Sequence, residues 1–378
     1  MYDIALIPGD GVGPEVVSEG KKVIMTACQE YGIRINWHEY PFGGETYLQK
    51  NILLPDSALS EIKEMDGIYF GAVGDPRVKP GILEREILLK LRFSLDQYIN
   101  LRPVKLLPGV EGPLRNKTYK DIDFYFIREN TEDFYIATGA TFKGRNHQLN
   151  HILKRNLFQA NIEINFQLEK EEEFGYQLGL LSRKGSDRVI RYAFSLADTK
   201  GLARVSTVDK ANVLSEMYGL WREVFKEIAS EYPAISADCY YVDAMAMLMV
   251  SNPEKFKVIV SPNMFGDILT DLGAILQGGI GMAASANINP EGVSMFEPIH
   301  GSAPDLKNKG ISNPVGTILA GAMMLDFLGE KEASSAIEAA VSSVLKEGKV
   351  RTKDLGGNNS TKEMGNSIAH ILQNMNRN

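Results

Sequence analysis

The sequence predicts an α/β protein of two domains, built on open, mostly parallel sheets flanked by helices, and not a Rossmann dinucleotide fold. Three observations carry that expectation. Apolar runs of strand length alternate with amphipathic helical stretches from the first residues onward, the rhythm of parallel strands joined by helices. The chain has 378 residues, more than one core usually serves. The first strand-to-helix turn, Gly9-Asp10-Gly11-Val12-Gly13-Pro14, has Pro14 where the dinucleotide fingerprint needs its third glycine.

Bulk properties narrow the function. With 44% hydrophobic and 24% charged residues the composition is that of an ordinary soluble globular protein. A net charge of -7 argues against a nucleic-acid surface as the main business, while leaving local basic clusters able to hold small anions. Cys28 and Cys239 are too few for a disulfide framework and suit a reducing compartment. The opening MYDIALIPGD lacks the basic start and long apolar run of a signal peptide, and no apolar run approaches membrane-spanning length. A cytoplasmic protein is expected, with neither membrane nor nucleic acid as partner.

Residues 4–7 read as the first strand, and the glycine-rich turn opens a helix carrying Val16, Val17, Val23 and Ile24. That turn admits two readings, a backbone lining for a ligand or a tight connection without one. A helix over 58–63 and a strand over 67–73 continue the alternation. Residues 83–95 form a helix with Leu88, Leu91 and Leu95 on one stripe and Arg85 and Arg92 elsewhere. Arg102 stands extended before Pro103, and the strand at 123–127 ends at Arg128. One such arginine is ordinarily solvated. Three at the edges of apolar elements suggest a grip on carboxylates, because each guanidinium fork can hold two oxygens.

The pattern changes over 141–183, where Asn, Gln, Lys and Glu dominate, periodicity is weak and an acidic run fills 169–173. This reads as a protruding arm or a partly mobile insertion rather than core. His147 and His151 have the spacing of a helical metal pair but no third ligand, and are expected on the surface. A helix over 186–198 and a strand over 204–208 follow. Lys210 then stands at a strand end before a helix, whose N-terminus would lower its pKa toward that of a general base. Asp243 precedes an apolar, methionine-rich helix and needs a partner.

The stretch over 256–271 organises the rest. A short strand turns into a helix that places Asp267 and Asp271 one turn apart, the only charged residues between Val258 and Pro290. They are either acids on a wet helix face or ligands that relieve their mutual repulsion by sharing a divalent cation. Oxygen donors without nearby Cys or His favour magnesium or manganese over zinc. Beyond them, 278–289 reads as glycine- and alanine-rich loop and helix, and 296–305 as a loop with His300 and Asp305. Helices over 318–328, 333–345 and 361–373 close the chain.

Six phrases now stand in order along nearly the whole chain: IPGDGVGPE, NLRPV, RENTEDFY, DKANV, NMFGDILTDL and FEPIHGSAPD. Together they resemble the β-decarboxylating dehydrogenases that act on isopropylmalate, isocitrate, homoisocitrate, and malate or tartrate. The resemblance implies the isopropylmalate-dehydrogenase-like fold. Its cofactor-binding domain would take 1–102 plus 276–378, and its substrate, metal and dimerisation domain 103–275, with an arm at 142–182. It implies a homodimer with shared active sites that oxidises a 2-hydroxy diacid with NAD and a divalent metal and then releases carbon dioxide. By motif, Arg92, Arg102 and Arg128 would clamp the malate carboxylates, and Asp243, Asp267 and Asp271 would hold Mg2+ or Mn2+. Lys210, entering with Asp243 from the other subunit, would relay the hydroxyl proton, and Tyr135 would protonate the enol. The adenosine half of NAD would lie against His300, Gly301, Ser302, Ala303 and Asp305, with Asn313 nearby, and Asp305 would repel the extra phosphate of NADP. Leu88, Leu89, Asn212 and Val213 would form the pocket for the third substituent, which leans toward isopropylmalate and leucine synthesis. D-malate, tartrate and homoisocitrate are the alternatives within the family, and a catalytically inactive regulatory subunit is the alternative outside it. Arg85 either grips a distal carboxylate or points to solvent.

Overall fold

The computed structural model describes residues 1–375. In chain order the elements are β1 (Tyr2–Gly9), α1 (Gly13–Tyr31), β2 (Ile35–Glu39), α2 (Gly44–Lys50), α3 (Asp56–Ile62), β3 (Gly67–Ala72), α4 (Lys90–Ser94), β4 (Ile99–Lys105), β5 (Asp123–Glu129), β6 (Gly139–Lys154), β7 (Gln159–Gln177), α5 (Arg183–Thr199), β8 (Arg204–Asp209), α6 (Ser215–Glu231), β9 (Ser236–Tyr241), α7 (Val242–Ser251), β10 (Val258–Ser261), α8 (Asn263–Leu276), β11 (Ala284–Ile288), β12 (Met295–Pro298), α9 (Val315–Phe327), α10 (Lys331–Glu347) and α11 (Thr361–Met375). They divide into two compact units. Unit 1 comprises 1–125, 249–255 and 270 onward, and unit 2 comprises 126–248 and 256–269.

Unit 1 carries strands in the order β2-β1-β3-β12-β11-β4. β1 pairs in parallel with β2 and β3, β12 pairs in parallel with β3, and β11 runs antiparallel to β12 and β4. α1 can form because Pro14 sits in its first turn, where no backbone donor is needed, and Gly32 ends it in the left-handed region at φ 69°. Its buried face of Val16, Val17, Val23 and Ile24 gains about 1.5–3 kcal/mol for each side chain covered. α9 is buried nearly throughout, including Val315, Ile318, Ala322 and Leu325, as befits a helix with protein on more than one side. The 103–125 segment belongs to unit 1 because it packs there: Arg351 Nη2 donates to Gly109 O at 2.5 Å, and a Cβ at Gly109 would stand 2.2 Å from Leu345 O.

Unit 2 carries β5-β10-β8-β9, with β10, β8 and β9 parallel. α5 begins at Ser182, whose hydroxyl accepts the Gly185 N–H at 2.9 Å, a side-chain cap. Trp221 on α6 is fully buried and its Nε1–H donates to Thr207 Oγ1 at 2.7 Å.

Three expectations are corrected. The polar arm is not irregular: β6 and β7 form a regular antiparallel hairpin, with His147 opposite Phe166, Leu149 opposite Ile164 and His151 opposite Ile162. A register shift between Gly144 and Asn146 moves the apolar positions of β6 to the other parity, while β7 keeps a period of two from Ile162 to Leu168 within a polar composition. The hairpin's far end also packs, with Leu153 buried and Arg155 Nε donating to Thr131 O at 2.7 Å. His147 and His151 therefore lie on a strand, not a helix. Residues 284–288 and 295–298 are strands rather than loop, hidden because Ala-Ser-Ala-Asn carries little β-propensity yet is buried throughout. The helix expected over 83–95 is a π-helical turn, Glu84–Leu89, followed by α4, and its buried stripe is Leu83, Ile87, Leu91 and Leu95, with Leu88 only packed beside it.

Among the described residues, no helix is long and apolar enough to cross a membrane.

Candidate active site

In unit 2 the end of β5, the short turn after it and the start of α8 bring three expected residues together. Arg128 is buried, its Nε donates to Asn263 Oδ1 at 2.8 Å, and its Nη1 forms an ion pair with Asp267 Oδ1. Tyr135 donates its hydroxyl proton to Asp267 Oδ2 at 2.5 Å, and the Arg128 guanidinium lies 5.0 Å from the Tyr135 ring centroid. Gly266 permits the approach, since a Cβ there would stand 2.5 Å from Ser261 Oγ and 2.7 Å from Arg128 Cβ. The Asp267 side chain keeps 42% exposure, so its carboxylate also faces solvent.

The support comes from residues that sequence reasoning passed over. Asp133, held at φ 63°, accepts the Met264 N–H at 2.8 Å in the first turn of α8 and the Tyr218 hydroxyl at 3.0 Å. Asn263 Nδ2 donates to Glu132 O at 3.2 Å. The polar run after β5 was the available signal, but such runs are commonly turns. Behind it, buried Glu129 accepts from Thr131 N–H and Oγ1–H, both at 2.7 Å, and from Glu132 N–H at 2.9 Å. Burial pushes the Glu129 carboxyl up, and burial with the Glu129 charge beside it pushes Glu132 up to about 7.

Lys210 and Asp243 also meet in unit 2. They follow the carboxyl ends of adjacent parallel strands, β8 and β9, where Asp209 lies opposite Tyr241. Lys210 Nζ donates to Asp243 Oδ1 at 2.5 Å, and this contact holds the Asp243 carboxyl below its usual value. The helix after Lys210 starts only at Ser215, because the Val213 and Leu214 N–H groups turn back onto Lys210 O at 3.0 and 2.9 Å. The ammonium's nearest influence is thus a carboxylate rather than a helix N-terminus. Asn212 and Val213 are exposed on that turn.

In unit 1, Arg92 and Arg102 are both buried, on α4 and β4. Arg102 Nε donates to Asn100 Oδ1 at 2.7 Å and Nη1 to Thr270 Oγ1. Leu88 and Leu89 are half-buried, Arg85 is 65% exposed beside Glu86, and Asp271 is exposed on α8. In the loop after β12, His300 Nδ1 bonds Gly301 O at 3.0 Å, while its Nε2 is enclosed without a partner. Burial lowers the His300 pKa, so the ring is neutral near pH 7. Ser302 is buried, Ala303 sits at φ 40° and Asp305 is exposed. The Asn313 side chain is committed to its own loop: Oδ1 accepts Val315 N–H at 3.0 Å and Nδ2 donates to Asp354 at 2.9 Å.

Among the described residues, no group of three or more His, Cys, Asp or Glu gathers around one point. The expected donors nevertheless suit a hard divalent cation, being all carboxylate, with Asp267 and Asp243 42% and 63% exposed. The expected dinucleotide loop suits adenosine as well, since the neutral imidazole offers an enclosed acceptor and Asp305 a free carboxylate.

Known proteins resemble this chain over nearly its whole length. The family model described as isocitrate/isopropylmalate dehydrogenase matches residues 3–368. A 3-isopropylmalate dehydrogenase of Thermobifida fusca is 42% identical over 97% of this chain and 96% of its own length. A decarboxylating D-malate dehydrogenase of Escherichia coli is 39% identical over 98% of both chains. Among solved structures, an isocitrate dehydrogenase from Methylococcus capsulatus aligns with a TM-score of 0.83 at 36% identity, covering 99% of this chain and 100% of that one.

Proposed function

The chain belongs to the isocitrate/isopropylmalate dehydrogenase family, and from that premise we propose that it oxidises and decarboxylates 3-isopropylmalate to 4-methyl-2-oxopentanoate, a step of leucine synthesis, using NAD and Mg2+ or Mn2+. The observation that carries the reading is the carboxylate of Asp267, held between a buried arginine and a tyrosine hydroxyl. It joins an anion grip, a cation ligand and a proton donor in a few ångströms, which is what decarboxylation of a 2-hydroxy diacid needs.

Bound at its carboxylates, the divalent cation would draw electron density from the C2 oxygen, and NAD would accept the C2 hydride. Arg92, Arg102 and Arg128 bind the two malate carboxylates and fix which face of C2 is presented. Lys210, acting as the free amine, takes the C2 hydroxyl proton as the hydride leaves, and the C3 carboxylate then departs as carbon dioxide, leaving its electron pair in the C2–C3 enolate. Tyr135 delivers a proton to C3, and the ketone is restored. Asp267 and Asp271 of one copy and Asp243 of a second are the metal ligands, with Lys210 acting from the second copy. A homodimer is supported by Val213, Leu214, Met247 and Ile268 of unit 2, large apolar side chains that are 68%, 38%, 67% and 61% exposed. His300, Gly301, Ser302, Ala303 and Asp305 receive the adenosine half, with Asn313 nearby. Two free cysteines, Cys28 and Cys239, favour a reducing, cytoplasmic setting.

The isopropyl group is assigned to Leu88, Leu89, Asn212 and Val213, and the names of the relatives favour it. One relative of comparable identity acts on D-malate, so that substrate is the second reading. The test is NADH absorbance with NAD, Mg2+ and, side by side, D-3-isopropylmalate, D-malate and homoisocitrate. The reading predicts kcat/KM at least about tenfold higher for isopropylmalate, the worth of a filled apolar pocket. A preference for D-malate installs the second reading, and silence with all three removes the enzyme.

A further inference from the structure

The glycine-rich turn, which the proposed chemistry leaves unused, is tied to unit 1 on several sides. Its amides are taken by the protein: Asp10 N–H donates to Ala72 O at 2.6 Å, Val12 N–H to Ser302 O at 2.8 Å and Gly13 N–H to Asp10 O at 2.9 Å. The buried Asp10 carboxylate accepts the Gly44 N–H at 2.8 and 3.0 Å and the Gly74 N–H at 3.0 Å. Of the two readings of this turn, the tight connection stands, since three of its donors are no longer available to a ligand.

Glu15 extends that tie. From the first turn of α1 its two oxygens accept the N–H groups of Asn308 at 2.5 Å and Gly310 at 3.0 Å. Asn308 sits in the left-handed region at φ 61°, uncommon outside glycine, and Gly310, which adopts that region freely, sits at φ 62°. The loop between them and Ser302 rests on the same turn, where a Cβ at Gly11 would stand 1.8 Å from Ser302 O.

We propose that Glu15 is a positioning residue for the dinucleotide: its carboxylate holds residues 302–310 in the shape that receives the adenosine half of NAD. The inference rests on the assignment of that loop under the proposed function. Without the anchor, ordering the loop is charged to binding, and affinity falls while the reacting atoms are untouched.

The test uses full-length Glu15→Gln and Glu15→Asp with NADH as probe, followed by its fluorescence on binding without substrate or metal. Two charge-assisted bonds replaced by neutral ones predict NADH binding about tenfold weaker in Glu15→Gln. The KM for NAD should rise in step, while kcat at saturating NAD and the KM for isopropylmalate stay within about twofold, and Glu15→Asp should regain part of the loss. Hydrogen exchange of the wild type should show Asn308 and Gly310 amides protected, which decides the matter even where Glu15→Gln fails to fold. Equal NADH affinity in Glu15→Gln and wild type, or open-peptide exchange at those amides, overturns the anchor. A wild type that binds no NADH overturns the loop assignment itself, and the anchor with it.

Discussion

Tyr135 and Arg128 engage the two oxygens of one carboxylate, so the orientation of the Tyr135 hydroxyl is set by Asp267. Tyr135→Phe removes the proton donor while keeping the ring that faces Arg128. Its kcat should fall about 10²–10⁴-fold, the usual worth of a general acid, with the melting temperature nearly unchanged. Full activity in that variant removes Tyr135 from the chemistry. Asp267→Asn should likewise abolish metal-dependent turnover in a folded protein, as checked by activity beside circular dichroism. A separate prediction concerns Glu132, whose carboxyl is raised from the ordinary 4.5 to about 7 by burial and by Glu129. A raised carboxyl pKa means that the folded state holds its proton longer than the unfolded state. Stability from this group is therefore full below about pH 4.5 and is lost as the pH rises toward about 7. Urea midpoints measured across that window should decline with pH, and the decline should flatten in Glu132→Gln. An identical slope in the variant would assign it to other groups.

Among elements, α8 decides where the candidate site lies. It starts against the end of β5 only because Gly266 offers no side chain to Arg128 and Ser261. Gly266→Ala must push on a buried arginine that is fixed by Asn263 and Asp267, and should cost about 1–3 kcal/mol together with most of the activity. A variant of wild-type stability and rate, by denaturant titration and NADH assay, contradicts that packing. Elements of strong pattern were legible in the sequence: β1, β3 and β10 as apolar runs, α5 and α11 as amphipathic helices. β11 was not, because small residues buried in an antiparallel strand carry no alternation. Nor was the β6–β7 hairpin: the bulge breaks the period of two in β6, and the polar, acidic composition of β7 outweighed its alternation from Ile162 to Leu168. At the site, Arg128, Tyr135 and Asp267 were legible through their motifs, whereas Asn263 and Asp133, which hold the group in place, look in sequence like ordinary turn residues.

For the whole molecule, the proposed chemistry requires a second copy of the chain. Lys210 and Asp243 pair with each other at the ends of β8 and β9, while Arg128, Tyr135 and Asp267 form a separate constellation in the same unit. The proposed chemistry assigns the first pair to the active site of a second copy. Exposed Val213 and Met247 stand beside that pair in sequence, as residues covered by such a copy would.

The most direct test is complementation between two inactive variants, Tyr135→Phe and Lys210→Ala, co-expressed with different tags so that the mixed dimer can be purified. If each active site draws Tyr135 from one copy and Lys210 from the other, the mixed dimer contains one intact site and should run at about half the wild-type rate. A mixed dimer no more active than its two parents would show that Lys210 does not act across the interface and would contradict the shared site.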